Sequence, residues 1–374
     1  MNRRSLAWLL AAVAIPVLLL SACGDDDDDD GGSESVVSEQ TIEGAEERAA
    51  AAEERPTEIA VSEPIDGEVP ENKTVYWLEC SIEACTQLGD SLQDATDALG
   101  WNLRRVNAGL EPETVKAAWE LAAREKPDAV MASGFPHEVY APELEEVLDA
   151  GIPVVNMVTT DEPAGDSEYI LKGNQDYIDN GALNADWVVA QGGETTKALY
   201  VTTSQFPSVE ARAKGFEPQF AEICPDCELD LMEVQADDIG TNALPTQIVG
   251  RLQQDPDINL VVLGIGDMLA GLESALQGAG LQDQAEILVS DMSPDIFQSL
   301  ENGEIEASVM QEGVDMMWEA TDILIRHFND QTVDIVNEPA QKWIVTPEGA
   351  ADWGPPFRLV EDHQQQYEEL WGVG

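Results

Sequence analysis

Residues Lys126–Met157 read KPDAVMASGFPHEVYAPELEEVLDAGIPVVNM, and the pattern of this stretch decides the fold. Ala129-Val130-Met131-Ala132 is an apolar run too short for a helix and bounded by turn formers, which reads as a buried strand. The loop Ser133-Gly134-Phe135-Pro136-His137 follows. Ala141 to Ala150 then places Leu144, Val147 and Leu148 on one helical face, with Gly151 as the stop. Ile152-Pro153-Val154-Val155-Asn156-Met157 is a second apolar run. Strand, helix and strand in this order form a βαβ unit whose strands lie parallel in one sheet. Ligands of such sheets sit outside the carboxyl ends of the strands. Here those ends are Ser133 to His137 and Val158 to Asp161.

The same rhythm extends in both directions. Thr74 to Leu78, Gly100 to Val106, Tyr169 to Leu171 and Ala198 to Thr202 read as strands, as do Leu260 to Leu263, Ile287 to Ser290 and Ala307 to Met310. Amphipathic helices are expected between them, among them Asp176 to Gln191, Val209 to Ile223, Asn242 to Gln254 and Val314 to Phe328. Trp343-Ile344-Val345 is strand-like. A chain of 374 residues suggests two domains, and repeated β-α alternation makes each a doubly wound parallel sheet. Two such lobes face each other across a cleft.

Charge narrows the function. Lys and Arg total 18 against 74 Asp and Glu, a formal net charge of −56. A chain so acidic repels phosphate backbones, which excludes nucleic acid as a partner. The acids are spread along the whole chain, as on a solvated surface.

The amino-terminal segment carries an address. Arg3 and Arg4 precede the apolar run Ala7 to Leu20, which is too short for a permanent span. Leu20-Ser21-Ala22-Cys23 resembles the lipobox of bacterial lipoproteins, which implies that residues 1–23 are a signal peptide ending in the lipobox cysteine, with Cys23 lipidated and retained as the mature N-terminus. Six consecutive aspartates follow, and residues 24–72 are rich in Glu, Ala, Ser and Pro, so they are expected to form a disordered acidic tether. Glu43 to Arg55 has helical composition but no stripe of large apolar residues.

From about Lys73 to Val345 the chain resembles the type I periplasmic solute-binding proteins, the ribose-like, sugar-binding group that serves ABC importers. The resemblance rests on an ordered series: Leu99-Gly100-Trp101-Asn102-Leu103, Lys126-Pro127-Asp128-Ala129, Ala150 to Val155, and Ala211-Arg212-Ala213-Lys214-Gly215-Phe216. It continues through Asp255-Pro256-Asp257-Ile258, Gly266-Asp267-Met268, Leu300-Glu301-Asn302-Gly303 and Ala307 to Gln311. The resemblance implies an α/β fold of two doubly wound lobes joined by a three-segment hinge, with crossings near Gly173, Glu312 and Glu338. The expected lobes are 73–173 with 313–337 and 174–312 with 338–360, leaving 361–374 as a tail. It also implies ligand contacts. Asp291 matches the family aspartate that accepts hydrogen bonds from a ligand hydroxyl, and Gln311 the glutamine of the last cleft loop.

Elsewhere the chain departs from the family. An asparagine and paired aromatics after the first strand are replaced by Ser81, Ile82, Glu83, Ala84 and Cys85. The Asp-Arg pair after the fifth strand becomes Val158-Thr159, the arginine ahead of the Gly-Phe turn becomes Glu210 with Arg212 close by, and a cleft asparagine becomes Gly266. Ser81, Glu83, Thr159, Glu210, Arg212 and Asp267 are therefore the expected replacements in the cleft. Phe135 and Phe206, on cleft loops, suit stacking against a ligand's apolar face.

Five cysteines are present. Beyond Cys23 they fall as Cys80-x4-Cys85 and Cys224-x2-Cys227, which could form one four-thiolate zinc site. The first pair lies on the cleft side and the second follows a helix running away from it, so two local disulfides are expected, with no metal and no cofactor. The three histidines, His137, His327 and His363, stand beside no nucleophile in sequence order, and G-x-S-x-G is absent. The chain reads as a monomeric, membrane-anchored binding protein whose partners are a small ligand and an ABC permease. A ligand-presenting sensor for a receptor kinase is the alternative, and a surface hydrolase the enzyme alternative.

Overall fold

A computed structural model describes residues 39–373, apart from 82, 193–195, 312, 334–338 and 352. Cys23, the signal segment and the crossing points Glu312 and Glu338 lie outside the described residues. The elements run α1 (Glu39–Glu53), β1 (Thr74–Cys80), α2 (Glu83–Ala98), β2 (Asn102–Gly109), α3 (Pro112–Glu125), β3 (Ala129–Ser133), α4 (Ala141–Asp149), β4 (Val154–Met157) and β5 (Glu168–Leu171). They continue with α5 (Asn174–Ala190), β6 (Lys197–Thr202), α6 (Pro207–Ile223), β7 (Glu228–Glu233), α7 (Ala243–Gln254), β8 (Leu260–Leu263), α8 (Leu272–Ala279), β9 (Glu286–Ser290), α9 (Pro294–Asn302) and β10 (Ala307–Met310). Last come α10 (Met316–Phe328), β11 (Trp343–Val345), α11 (Pro347–Ala350) and α12 (His363–Trp371).

Two sheets result. The first has order β2-β1-β3-β4-β5 and is wholly parallel. The second has order β11-β10-β9-β8-β6-β7, parallel except for β11, which pairs antiparallel with β10 at one edge. Alternation along each strand feeds two cores. Val75 and Trp77 face α2 and α10, whereas Tyr76 and Leu78 face α3 and α4. In the second lobe Leu199 and Val201 point to α7–α9, and Ala198 and Tyr200 to α5 and α6. Both sheets are thus covered on both faces, as parallel sheets require. β5 and β10 each leave their sheet at the carboxyl end to cross between lobes, so the two sets of carboxyl ends border the same gap.

Two expectations about the chain ends are overturned. Residues 39–72 are not a disordered tether. α1 lies on α5 with Ala45 and Ala49 buried, Arg48 donates to Asp186 at 2.7 and 2.8 Å, and Trp187 Nε1 donates to Glu53 at 2.9 Å. Small alanines let the helix dock closely, so no stripe of large residues is needed. Residues 361–374 are not a free tail either, because Tyr367 and Trp371 of α12 bury against Trp318 of α10. Among the described residues the chain thus passes between lobes after α1 and again before α12, besides passing from β5 to α5, from β10 to α10 and from α10 to β11. Carboxylates tie the crossings together. Asp176 accepts from Gly173 N and Ala340 N, and Asp315 from Leu359 N and Val360 N. Lys172 Nζ pairs with Glu319 at 2.9 Å, with both side chains at most 10% exposed.

Candidate functional site

The second lobe gathers its polar groups around Arg212. This side chain, on α6, is 1% exposed. Its Nη2 lies 2.5 Å from Asp291 Oδ1 and its Nη1 3.2 Å from Oδ2, a two-pronged pairing of fork and carboxylate. Nη1 also donates to Gly264 O at 3.0 Å, and the guanidinium lies 5.0 Å from the Tyr177 ring centre. One arginine thereby connects α5, α6 and the carboxyl ends of β8 and β9. Asp291 has a left-handed backbone, φ 80°, a conformation Asp tolerates better than most residues. Its N–H donates to Val309 O at 3.1 Å and its carbonyl accepts from Ser308 Oγ. The carboxylate remains 26% exposed at the gap.

Close helix packing fixes Arg212. A Cβ added to Gly181 of α5 would sit 1.8 Å from Arg212 O, and one added to Gly215 of α6 would sit 1.8 Å from Ile178 O. The two helices therefore touch backbone to backbone at both points. Beneath lies a buried polar cluster in which Asn184 Nδ2 donates to Asn180 Oδ1 at 3.2 Å and to Ser290 Oγ at 3.3 Å.

The other residues singled out in this lobe are dispersed. Asp267 follows β8 and is exposed as a residue; desolvation of its carboxyl, then the charges of Asp291 and Asp295, raise its pKa. Phe206 caps α6 and is 40% exposed. Glu210 pairs with Lys214 one turn along α6 at 2.9 Å, on the helix surface. Gln311 is fully buried, and its amide has no partner among the described residues. It lines a cavity of about 20 Å³ between the crossings, with Lys172, Glu319, Leu359 and Tyr367.

In the first lobe, Cys80 and Cys85 are bonded across the loop that follows β1, with Cα atoms 5.6 Å apart. Cys224 and Cys227 are bonded at the end of α6, Cα atoms 5.3 Å apart, so the thiols form two local bridges and no shared thiolate site. Ser81 is exposed and donates to Asn107 Oδ1 at 2.9 Å. The side chain of Glu83 lies outside the described residues. Phe135 is half-buried between the two core faces of the lobe. Thr159 is buried and donates to Asp161 Oδ2 at 2.9 Å. Val158 has φ 56°, a left-handed conformation that is a genuine outlier for a β-branched residue.

Sequence reading passed over Tyr177, Asn180, Asn184, Glu168 and Asn156. Asn180 and Asn184, spaced by four on one face of α5, were the available signal. Among the described residues no group of three or more His, Cys, Asp or Glu side chains is arranged to hold a metal ion, and no helix is long and apolar enough to cross a membrane.

Residues 79–332, more than half the chain, match the family described as periplasmic binding protein domain. The chain is 26% identical over 215 residues to the galactofuranose-binding protein YtfQ of Escherichia coli strain K12, over 55% of this chain and 66% of that protein, just under two thirds of its length. Among solved structures it is similar to GanP, a glucose-galactose binding protein from Geobacillus stearothermophilus, with a TM-score of 0.64 and 18% identity over 75% of this chain and 99% of that one. It is also similar to an ABC transporter periplasmic solute binding protein from Actinobacillus succinogenes 130z with bound D-allose: TM-score 0.65, 17% identity, 75% and 100% covered. A chain of the XylFII-LytSN complex gives a TM-score of 0.62 at 14% identity, with 75% and 100% covered. At these identities the structural likeness is one of fold.

Proposed function

We propose a function from one premise: this chain belongs to the periplasmic binding protein domain family, in its type I, two-lobed form. It is an extracytoplasmic solute-binding protein that captures a small polar ligand, a sugar or sugar-like molecule, between closing lobes and delivers it to an ABC permease. Cys23 is the point of lipid attachment. The protein binds and releases without turnover.

The observation that carries the reading is the Arg212–Asp291 pair. Its carboxylate is held in a fixed orientation by a buried arginine yet stays partly exposed at a strand end bordering the gap. Such a carboxylate accepts hydrogen bonds from ligand hydroxyls without having to be ordered first. Closure follows because a ligand that touches both lobes binds the closed form better than the open one, and only that difference shifts the balance. Phe135 and Thr159 from one lobe, and Phe206, Asp267 and Asp291 from the other, are the proposed contacts, with Ser81 and Glu83 beside them, Gln311 acting from the buried cavity between the crossings and Arg212 acting through Asp291. Glu210, tied to Lys214 on the helix surface, is the outermost of them.

The test is a thermal-shift panel of neutral sugars that includes D-galactose, D-allose, L-arabinose and D-fructose. A ligand at about a hundred times its Kd stabilises the native state by ~2.7 kcal/mol, which raises the melting temperature by several degrees. Asp291→Ala is expected to weaken the responding sugar by about tenfold, ~1.4 kcal/mol, and also to lower the unliganded melting point, because it leaves the buried Arg212 without its carboxylate. Asp291→Asn, which keeps an acceptor for Arg212, separates the two effects. A folded wild type that responds to no sugar or polyol overturns the reading. Stimulation of a receptor kinase, in place of a permease ATPase, by the sugar-loaded protein would select the sensor alternative.

A further inference from the structure

We propose that His137 is a positioning residue for the first-lobe half of the binding site: it clamps together the two loops that carry Phe135 and Thr159. The loops follow β3 and β4, and the clamp has two arms. The backbone N–H of His137 donates to Asp161 Oδ2 at 2.8 Å, the same oxygen that receives Thr159 Oγ1 at 2.9 Å. The imidazole Nε2 lies 2.8 Å from Glu168 Oε1. Glu168, the first residue of β5, has a side chain with no exposure at all. Asn156 Nδ2 also donates to its Oε1, and Ala164 N donates to its Oε2 at 2.6 Å. Three donors from three segments thus converge on one buried carboxylate.

A buried carboxylate is tolerated only when it is paired and its lone pairs are filled. Removing His137 takes away the one donor able to carry a charge and leaves the other two to hold Glu168. It also takes the side-chain arm from the loop between Gly134 and Val139, leaving that loop tied to its neighbour through the backbone, by Gly134 N donating to Met157 O at 3.2 Å and His137 N donating to Asp161 Oδ2 at 2.8 Å. The left-handed Val158 opens the loop that carries Thr159 and Asp161, a strained conformation that persists only where surrounding contacts over-determine it. Phe135 depends on the same clamp, since its carbonyl accepts from Tyr140 Oη at 3.2 Å and the His137 ring meets the Tyr140 ring edge-on.

The clamp has a pH sign. The titratable groups facing the imidazole are Glu168 from β5, Asp161 from the loop after β4 and Tyr140 from the start of α4, and Asn156 Nδ2 of β4 lies 3.4 Å from its Nε2. The hydrogen bond to Glu168 raises the His137 pKa above its ordinary 6.5; burial opposes this, and the charges of Glu168 and Asp161 add to it. A raised folded pKa contributes stability that is complete below the unfolded value and is lost as pH rises through the folded one. The clamp is therefore firm in mild acid and loosens on the alkaline side.

The inference rests on the proposed binding function for its consequence, but its first test needs no ligand. Amide hydrogen exchange of the full chain is followed from about pH 6, below histidine's ordinary value, to about pH 9, well on its alkaline side. After correction for intrinsic rates, exchange in residues 134–140 and 158–167 should rise roughly tenfold with pH in the wild type, the effect of one charge-assisted hydrogen bond. α3 should not change. His137→Leu should exchange fast in both loops at both pH values, and His137→Gln, which keeps a donor, should fall between. Equal protection of the wild-type loops at both pH values, or protected loops in His137→Leu, overturns the clamp. Should His137→Leu fail to fold, the wild-type pH series decides alone. D-galactose titration supplies the second readout. A variant with loosened loops and unchanged D-galactose affinity overturns the positioning role. A wild type that binds no sugar overturns the functional reading instead, leaving the exchange data to judge the loops.

Discussion

Two glycine-to-alanine substitutions should have opposite signs. At Gly181 the added methyl would sit 1.8 Å from Arg212 O, and at Gly215 the mirror contact is 1.8 Å from Ile178 O. The obstacle is a helix carbonyl, which cannot rotate aside as a side-chain tip can. α5 and α6 must separate by roughly an ångström, and a gap of that size forfeits a quarter to a half of each dispersion contact along the seam. Overpacking of this kind costs about 1–3 kcal/mol and occasionally more. With the backbone as the obstacle on both sides, we expect about 3 kcal/mol or more for Gly181→Ala. Gly250, inside α7, has open space where a Cβ would go and no positive φ. There alanine should stabilise by about 0.5–1 kcal/mol, because it restricts the unfolded chain and favours the helix. Urea titration read by tryptophan fluorescence, with m-values compared, measures both. The melting point should fall by roughly 6 °C or more for Gly181→Ala and rise by a few degrees for Gly250→Ala, scaling at about 2–4 °C per kcal/mol. A Gly181→Ala midpoint indistinguishable from wild type would refute the backbone-contact reasoning.

Lys172→Met leaves Glu319 buried without its partner, and burial already pushes that carboxyl up. A loss of about 3–5 kcal/mol is expected by urea denaturation, largely recovered in Lys172→Met/Glu319→Leu; no loss in the single variant would show that the pair contributes nothing. The four bridged cysteines should give no free thiol on denaturation without reductant in protein lacking Cys23, and four after reduction. Thiol reactivity before reduction would contradict the bridging.

Much of the fold was legible because parallel strands buried on both faces are short, continuous apolar runs. Ala129–Ser133, Leu260–Leu263 and Glu286–Ser290 announce themselves in this way. β7 did not, since its alternation of Glu228, Asp230 and Glu233 with Leu229 and Leu231 belongs to an exposed edge, where charge replaces apolar continuity. The stretch from Met268 to Ala279, apolar enough to read as one helix, is interrupted, because Gly271 takes φ 75° and caps α8. α1 and α12 were passed over because their docking depends on partners far away in sequence. For α1 the partner is Asp186, and for α12 it is Trp318. In the site, Asp291 and Arg212 could be singled out by position, but their mutual pairing could not. Two residues 79 apart meet only after α6 is pressed against α5. Gln311 ends its strand as expected, yet its amide turns into the cavity between crossings, a choice set by packing that no local pattern records.

The two terminal crossings turn the molecule into its own ruler. The first described helix rides on the second lobe and the last helix on the first, so each of these two helices travels with the body opposite the one it adjoins in sequence. Glu46 of α1 and Gln365 of α12 are both exposed. With four cysteines already consumed in bridges, single cysteines placed at these two positions, in protein lacking Cys23, would be the only reactive thiols in the chain. A dye pair attached there reads the separation of the lobes as one distance. Neither dye touches the cleft, so the conformational response to any candidate solute can be followed without disturbing the surface that binds it.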